Sequence, residues 1–140
     1  MIDRNAIRSV LKDYPFVAAA WLFGSRASGS QGPMSDADIA ILLGRSAPTG
    51  RRLIHAEDEM AARLAKPLKV KDVDLVALNS QGLVFRHNVL RTGRLVYDAD
   101  RRYRIAFTQR VIVNFCDFEP TLRLVEKHHL KGRLKRLKAS

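Results

Sequence analysis

Eight apolar residues in a row, positions 16–23, lie between Pro15 and Gly24. The run is far short of the roughly 18 apolar residues that a membrane span needs. It has the length of a strand buried on both faces, and Pro15 keeps a helix from continuing into it, because the residue before a proline avoids the helical region. Two more strand-sized runs follow. Residues 36–43 begin with acid and turn apolar before Gly44, and residues 70–78 carry Asp72 and Asp74 within an otherwise apolar stretch.

Helical patterns fill the intervals. Residues 5–14 place Ala6, Val10 and Leu11, with Ile7, on one side, and residues 51–65 do the same with Leu53, Ile54, Ala61 and Leu64 before Pro67, which is expected to stop them. Residues 24–30 are small and polar and open a short helix, followed by a loop at Gly29, Gly32 and Pro33. A short helix is expected over 81–91 with Gly93 just past its end, then a small edge strand at 95–97. Residues 100–118 form a longer helix that Pro120 either breaks or follows with a new one, and 130–140 read as a solvated basic helix or frayed tail. The order predicts an α/β (α+β) fold: a short mixed sheet flanked by helices, with a C-terminal helical segment. The expected division is a domain over 1–120 and a basic helix or tail over 121–140.

Asp36 and Asp38 carry the chemistry. In a strand, residues i and i+2 share a face, so these two carboxylates project side by side and repel each other. A divalent cation between them relieves that repulsion, and Mg²⁺ takes carboxylate oxygens together with substrate phosphates. Taken alone, the pair is more readily a polar edge leading into a strand. Gly24 and Ser25 follow the first buried strand. A glycine there lets backbone approach a phosphate, N–H groups at a helix start favour anions, and Arg26 adds charge. Taken alone, this is a turn. Asp74 lies inside an apolar run, where a charge is costly unless it is paired or metal-bound. A salt bridge to one of the many arginines is its structural alternative, while Asp72, beside Lys71, is expected to stay in solvent. The three features occur together and in order. Such a triad is what phosphoryl transfer requires: shared carboxylates clamp the attacking and leaving oxygens, and the third helps deprotonate the attacking hydroxyl.

The stretch Leu22-Phe23-Gly24-Ser25-Arg26-Ala27, followed by Ser35-Asp36-Ala37-Asp38-Ile39-Ala40, resembles the signature of the DNA polymerase β-like nucleotidyltransferases, with ten residues between Ser25 and Asp36. Val73-Asp74-Leu75-Val76 supplies the third carboxylate. The small size, and the stretch Leu90-Arg91-Thr92-Gly93-Arg94-Leu95-Val96-Tyr97, resemble the minimal nucleotidyltransferase (MNT) group, which includes MntA-type antitoxins paired with HEPN toxins. The resemblance implies a nucleotidyltransferase fold over 1–120, Mg²⁺ and ATP, with AMP moved onto a tyrosine of a HEPN toxin. It implies that Gly24, Ser25 and Arg26 hold the triphosphate, that Asp36 and Asp38 bind both metals, and that Asp74 completes the catalytic metal site. Ala37 departs from the branched or acidic residue usual within the D-x-D, and it points away from the metal.

The net charge is +11, from 25 Lys and Arg against 14 Asp and Glu. That excess favours a polyanionic or acidic partner. From Thr121 onward Glu126 is the only acid. The basic tail is read first as a solvated face, then as a dock for an acidic toxin, then as a nucleic acid contact. Leu130, Leu134 and Leu137 make too narrow a stripe for a membrane role. Two other acceptors, an RNA end or a small molecule, fit the same site, and a non-catalytic toxin-binding module is the alternative of a different class. Arg123 and His128 meet the R-x4-H spacing of HEPN ribonucleases, but Leu130 stands where a tyrosine is expected. His55 and His87 are read as half-buried, and Cys116 as a packed thiol. With one cysteine there is no internal disulfide, and no basic start precedes an apolar stretch of roughly 7–15 residues, so a cytoplasmic location is expected.

Overall fold

The computed structural model describes residues 3–24 and 36–139, with side chains to His129. The turn, short helix and loop expected over 25–33 lie outside the described residues. Helix α1 spans Arg4–Leu11, capped by Asp3, whose side chain accepts from the Ala6 amide at 3.1 Å. Strand β1 is Val17–Phe23 and β2 is Ala37–Leu43. Helix α2 is Gly50–Leu68 and β3 is Val73–Ala77. A 3₁₀ turn, Leu78–Ser80, leads to α3, Leu83–Thr92. Strand β4, Arg94–Asp98, precedes α4, Arg101–Ala139.

The four strands form one mixed sheet in the order β3-β2-β1-β4. β1 is antiparallel to β2 and to β4, while β2 and β3 run parallel. Alternation divides the side chains into two cores. Ile39, Ile41, Leu22, Leu75 and Ala77 face α1 and α2, where they meet Ile7, Leu11, Met60 and Leu64. Ala40, Leu42, Trp21 and Val76 face α3 and α4, where they meet Val89, Phe107 and Val111. β1 and β2 are apolar on both faces because both faces are covered, which is why their sequences run without alternation. Gly93 is needed for this packing, since a Cβ there would lie 2.6 Å from the Val89 carbonyl oxygen and against Trp21.

Two prolines act differently from their sequence expectation. Pro67 lies within the last turn of α2 instead of ending it. At that position it forfeits only the bond to the Arg63 carbonyl, and Lys69 closes the helix in a left-handed conformation at φ 54°. Pro120 neither breaks α4 nor opens a second helix, because the helix is continuous from Arg101 to Ala139. Cys116, the residue whose carbonyl loses its partner, is exposed, so water can satisfy it, and an ion pair from Arg123 to Glu119 at 2.7 Å spans the turn. The exposure of Cys116 also corrects its reading as a packed thiol: beyond Val111, α4 leaves the core. His55 is likewise exposed, with its imidazole 3.9 Å from Glu59, whereas His87 stacks on Phe115 with centroids 3.6 Å apart. Among the described residues, no helix is long and apolar enough to cross a membrane.

Candidate active site

The C-terminal end of β1 meets the N-terminal ends of β2 and β3, and the acids stand there. Asp38 is the register partner of Phe23 on one side and of Asp74 on the other. Parallel neighbours lie about 5 Å apart, so two carboxylates in register on one face confront each other. That face is fixed by parity. Ala40 and Leu42 share the side of Asp38, Val76 shares the side of Asp74, and all of them face α3 and α4. Asp36 stands just ahead of β2, exposed, and near enough that its charge acts on Asp38. The register brings Asp38 and Asp74 together, and the charge of Asp36 reaches Asp38. Asp74 does not form a salt bridge among the described residues, and Asp72 is exposed as expected.

Burial pushes the Asp38 carboxyl above the ordinary carboxylate range, and the charges of Asp74 and then Asp36 push it further in the same direction. Asp36 and Asp74 are themselves exposed. Gly24 completes the arrangement. Its φ is +73°, a conformation that suits glycine, and a Cβ placed on it would lie 2.7 Å from Asp38 Oδ2. Glycine is therefore required twice, for the turn and for the approach of the carboxylate. Ser25 and Arg26 lie outside the described residues.

Supporting contacts hold the strand ends. Asn79 clamps the far end of β2, accepting from the Leu43 amide at 2.8 Å and donating to the Leu43 carbonyl at 2.9 Å. Arg86 donates to the carbonyls of Leu78 and Asn79 at 2.8 and 2.6 Å, fixing the turn after β3. Neither residue was singled out from sequence, because both act across contacts that no local pattern encodes. Glu57 and Asp58 of α2 were not singled out from sequence either. They line a hollow of about 230 Å³ with Val73, Asp74 and Leu75.

As the side chains stand, no three ligating groups among the described residues gather into a closed metal cage. The donors are nevertheless hard oxygens only, on two register-paired strands, and the mutual repulsion recorded at Asp38 is what a dication relieves. Mg²⁺ suits such a site, because it keeps several waters and takes one or two carboxylates plus substrate phosphates.

A mixed four-stranded sheet flanked by helices, with strand-end carboxylates beside a glycine turn, is the architecture of the nucleotidyltransferase class. The family described as polymerase beta, nucleotidyltransferase matches residues 5–102. The chain belongs to that family. It is 34% identical over 97 residues to the protein adenylyltransferase MntA of Shewanella oneidensis, an alignment covering 69% of this chain and 66%, just under two thirds, of that relative's length. Its fold matches a chain of a toxin–antitoxin complex solved with AMP-PNP, with a TM-score of 0.72, 27% identity, and coverage of 92% of this chain and 99% of the other. It also matches a chain of the complex between a tri-AMPylated Shewanella oneidensis HEPN toxin and its MNT antitoxin, with a TM-score of 0.66, 25% identity, and coverage of 91% and 95%.

Proposed function

We propose that this protein is a Mg²⁺-dependent adenylyltransferase that moves AMP from ATP onto a tyrosine hydroxyl of a HEPN-type toxin partner in the cytoplasm, and so acts as its antitoxin. The observation that carries the reading is the register pairing of Asp38 with Asp74 beside Gly24. Its likeness to a relative named for protein adenylylation, and to chains from toxin complexes, supports the choice of acceptor.

In this reading Gly24 and Ser25 cradle the triphosphate with backbone N–H groups, and Arg26 neutralises it. Asp36 and Asp38 would hold both Mg²⁺ ions and Asp74 one of them, an arrangement that offsets charge developing on the phosphoryl oxygens. Asp74, exposed at the sheet edge, accepts the proton of the incoming hydroxyl. The hydroxyl oxygen then bonds to the α-phosphorus, the bond from that phosphorus to the bridging oxygen breaks, and pyrophosphate leaves. Residues 1–120 make up the catalytic domain, and 121–140 a basic helix that contacts the partner or nucleic acid.

The test is transfer from α-labelled ATP with Mg²⁺ to the neighbouring gene's product, against an Asp36→Ala/Asp38→Ala control. Label on a tyrosine of that product, absent in the control, is the expected result. The net charge of +11 favours an RNA end as the second acceptor, which label in RNA instead of protein would establish. Toxin neutralisation that survives the double substitution would make the chain a contact-only module.

A further inference from the structure

The sheet has two outer edges, and they differ in charge. Along β4 runs a groove of about 600 Å³ lined by Arg4 and Arg8 of α1 and Lys12 just past it, beside Tyr97 and Asp98, whose charge is paired with Arg104. Along β3 lies the smaller hollow, where Glu57 and Asp58 of α2 stand beside Val73–Leu75. Neither Glu57 nor Asp58 forms an ion pair among the described residues, although the chain has 25 bases for 14 acids. Burial pushes the Glu57 carboxyl above its ordinary range, and Asp58 adds to that, so a cation in the hollow would be welcome to both. Ile54, on the rim, is 61% exposed and offers apolar surface to the stem of such a side chain.

β3 is an end strand, with β2 on one side and no strand on the other among the described residues. An open strand edge takes up an extended peptide through main-chain hydrogen bonds, with alternate side chains pointing to opposite faces. On β3 the two faces have different tenants. Val73 and Leu75 point toward α2, whereas Asp74 points to the opposite face with Asp38.

Resting on the adenylyltransferase reading above, we propose that the protein acceptor binds as an extended segment along the outer edge of β3. A cationic side chain of that segment enters the hollow beside Glu57 and Asp58. The accepting tyrosine stands an odd number of residues away, on the opposite face beside Asp74. Glu57 and Asp58 are then specificity-determining residues that touch the acceptor and not the nucleotide. The basic edge at β4 would repel the same segment, so the charge difference between the edges selects β3.

The experiment measures AMP transfer to the neighbouring gene's product by the wild-type chain and by the Glu57→Lys/Asp58→Lys double variant. The KM for the acceptor should rise about tenfold or more, as expected when a complementary pair becomes a like-charge pair. AMP-PNP affinity and kcat at saturating acceptor should stay within about twofold, which also reports that the variant is folded. Glu57→Gln/Asp58→Asn should fall between the two. Short synthetic peptides with one tyrosine and one arginine should be labelled faster at spacings of one or three residues than at two. An unchanged acceptor KM in the charge-reversed variant, or a preference for even spacing, overturns this proposal alone. A wild-type chain that labels no tyrosine overturns the parent reading, and this one with it.

Discussion

At the scale of single residues, the contact between Gly24 and Asp38 is the tightest constraint on the site. Gly24→Ala must relieve a 2.7 Å approach to Asp38 Oδ2 from a backbone already at φ +73°. The carboxylate will move, so nucleotidyl transfer should fall by about 100-fold, the effect of misplacing a reacting group by about 1 Å, while far-ultraviolet circular dichroism stays that of the wild type. Asp38 itself should trade stability for chemistry. Burial and the neighbouring acids hold its carboxyl above the ordinary carboxylate range in the folded chain, so the protonated form is favoured by folding. That contribution is fully present below the unfolded pKa and is lost as pH rises through the folded one. Asp38→Asn should therefore melt above the wild type at pH 7 in the absence of metal, by no more than about 2–4 °C given the partial exposure, and level with it at pH 3. Mg²⁺ should raise the wild-type melting temperature and leave the variant where it was. A variant that melts lower at pH 7 would mean that the repulsion is not felt in solution.

At the scale of elements, the strands were legible because covered strands leave apolar runs, and Gly24, Asp36, Asp38 and Asp74 stand out against those runs. Their register was not legible, since the pairing of Asp38 with Asp74 is a contact between residues far apart in sequence. The prolines misled for a related reason. The rule that proline ends a helix is local, whereas the cost depends on where the proline falls and on whether the orphaned carbonyl reaches water: Pro67 lies in the last turn of α2, and Cys116 on α4 is exposed. Asn79 shows the same dependence on distant partners. It satisfies both backbone groups of Leu43, 36 residues away in sequence. Asn79→Ala should cost about 1–3 kcal/mol in the urea-unfolding free energy, because two backbone groups lose their partners at a partly buried site. Arg86 will not compensate, since its Nε and Nη2 are held on the Leu78 and Asn79 carbonyls.

At the scale of the whole molecule, charge and core occupy different parts of one helix. α4 runs for 39 residues, about 58 Å at 1.5 Å per residue, yet its buried side chains among the described residues are Phe107 and Val111, both in its first turns. Further along, Ile112, Val113, Leu124 and Val125 are exposed. From Thr121 to Ser140 there are seven Lys and Arg against Glu126 alone, so this stretch carries six of the net eleven positive charges. Stability and partner attraction should therefore separate cleanly. A chain ending at Pro120 should keep its urea-unfolding free energy to within about 0.5 kcal/mol, the range expected for changes at exposed sites. Its binding to the proposed toxin partner should weaken, and the loss should shrink as salt rises from about 50 to about 200 mM, because the attraction removed is screened over roughly a Debye length. An unfolding free energy that drops by several kcal/mol would show that the arm folds back onto the core in solution. Binding that weakens equally at all salt concentrations would assign the arm an apolar contact through Leu124 and Val125 in place of an electrostatic one.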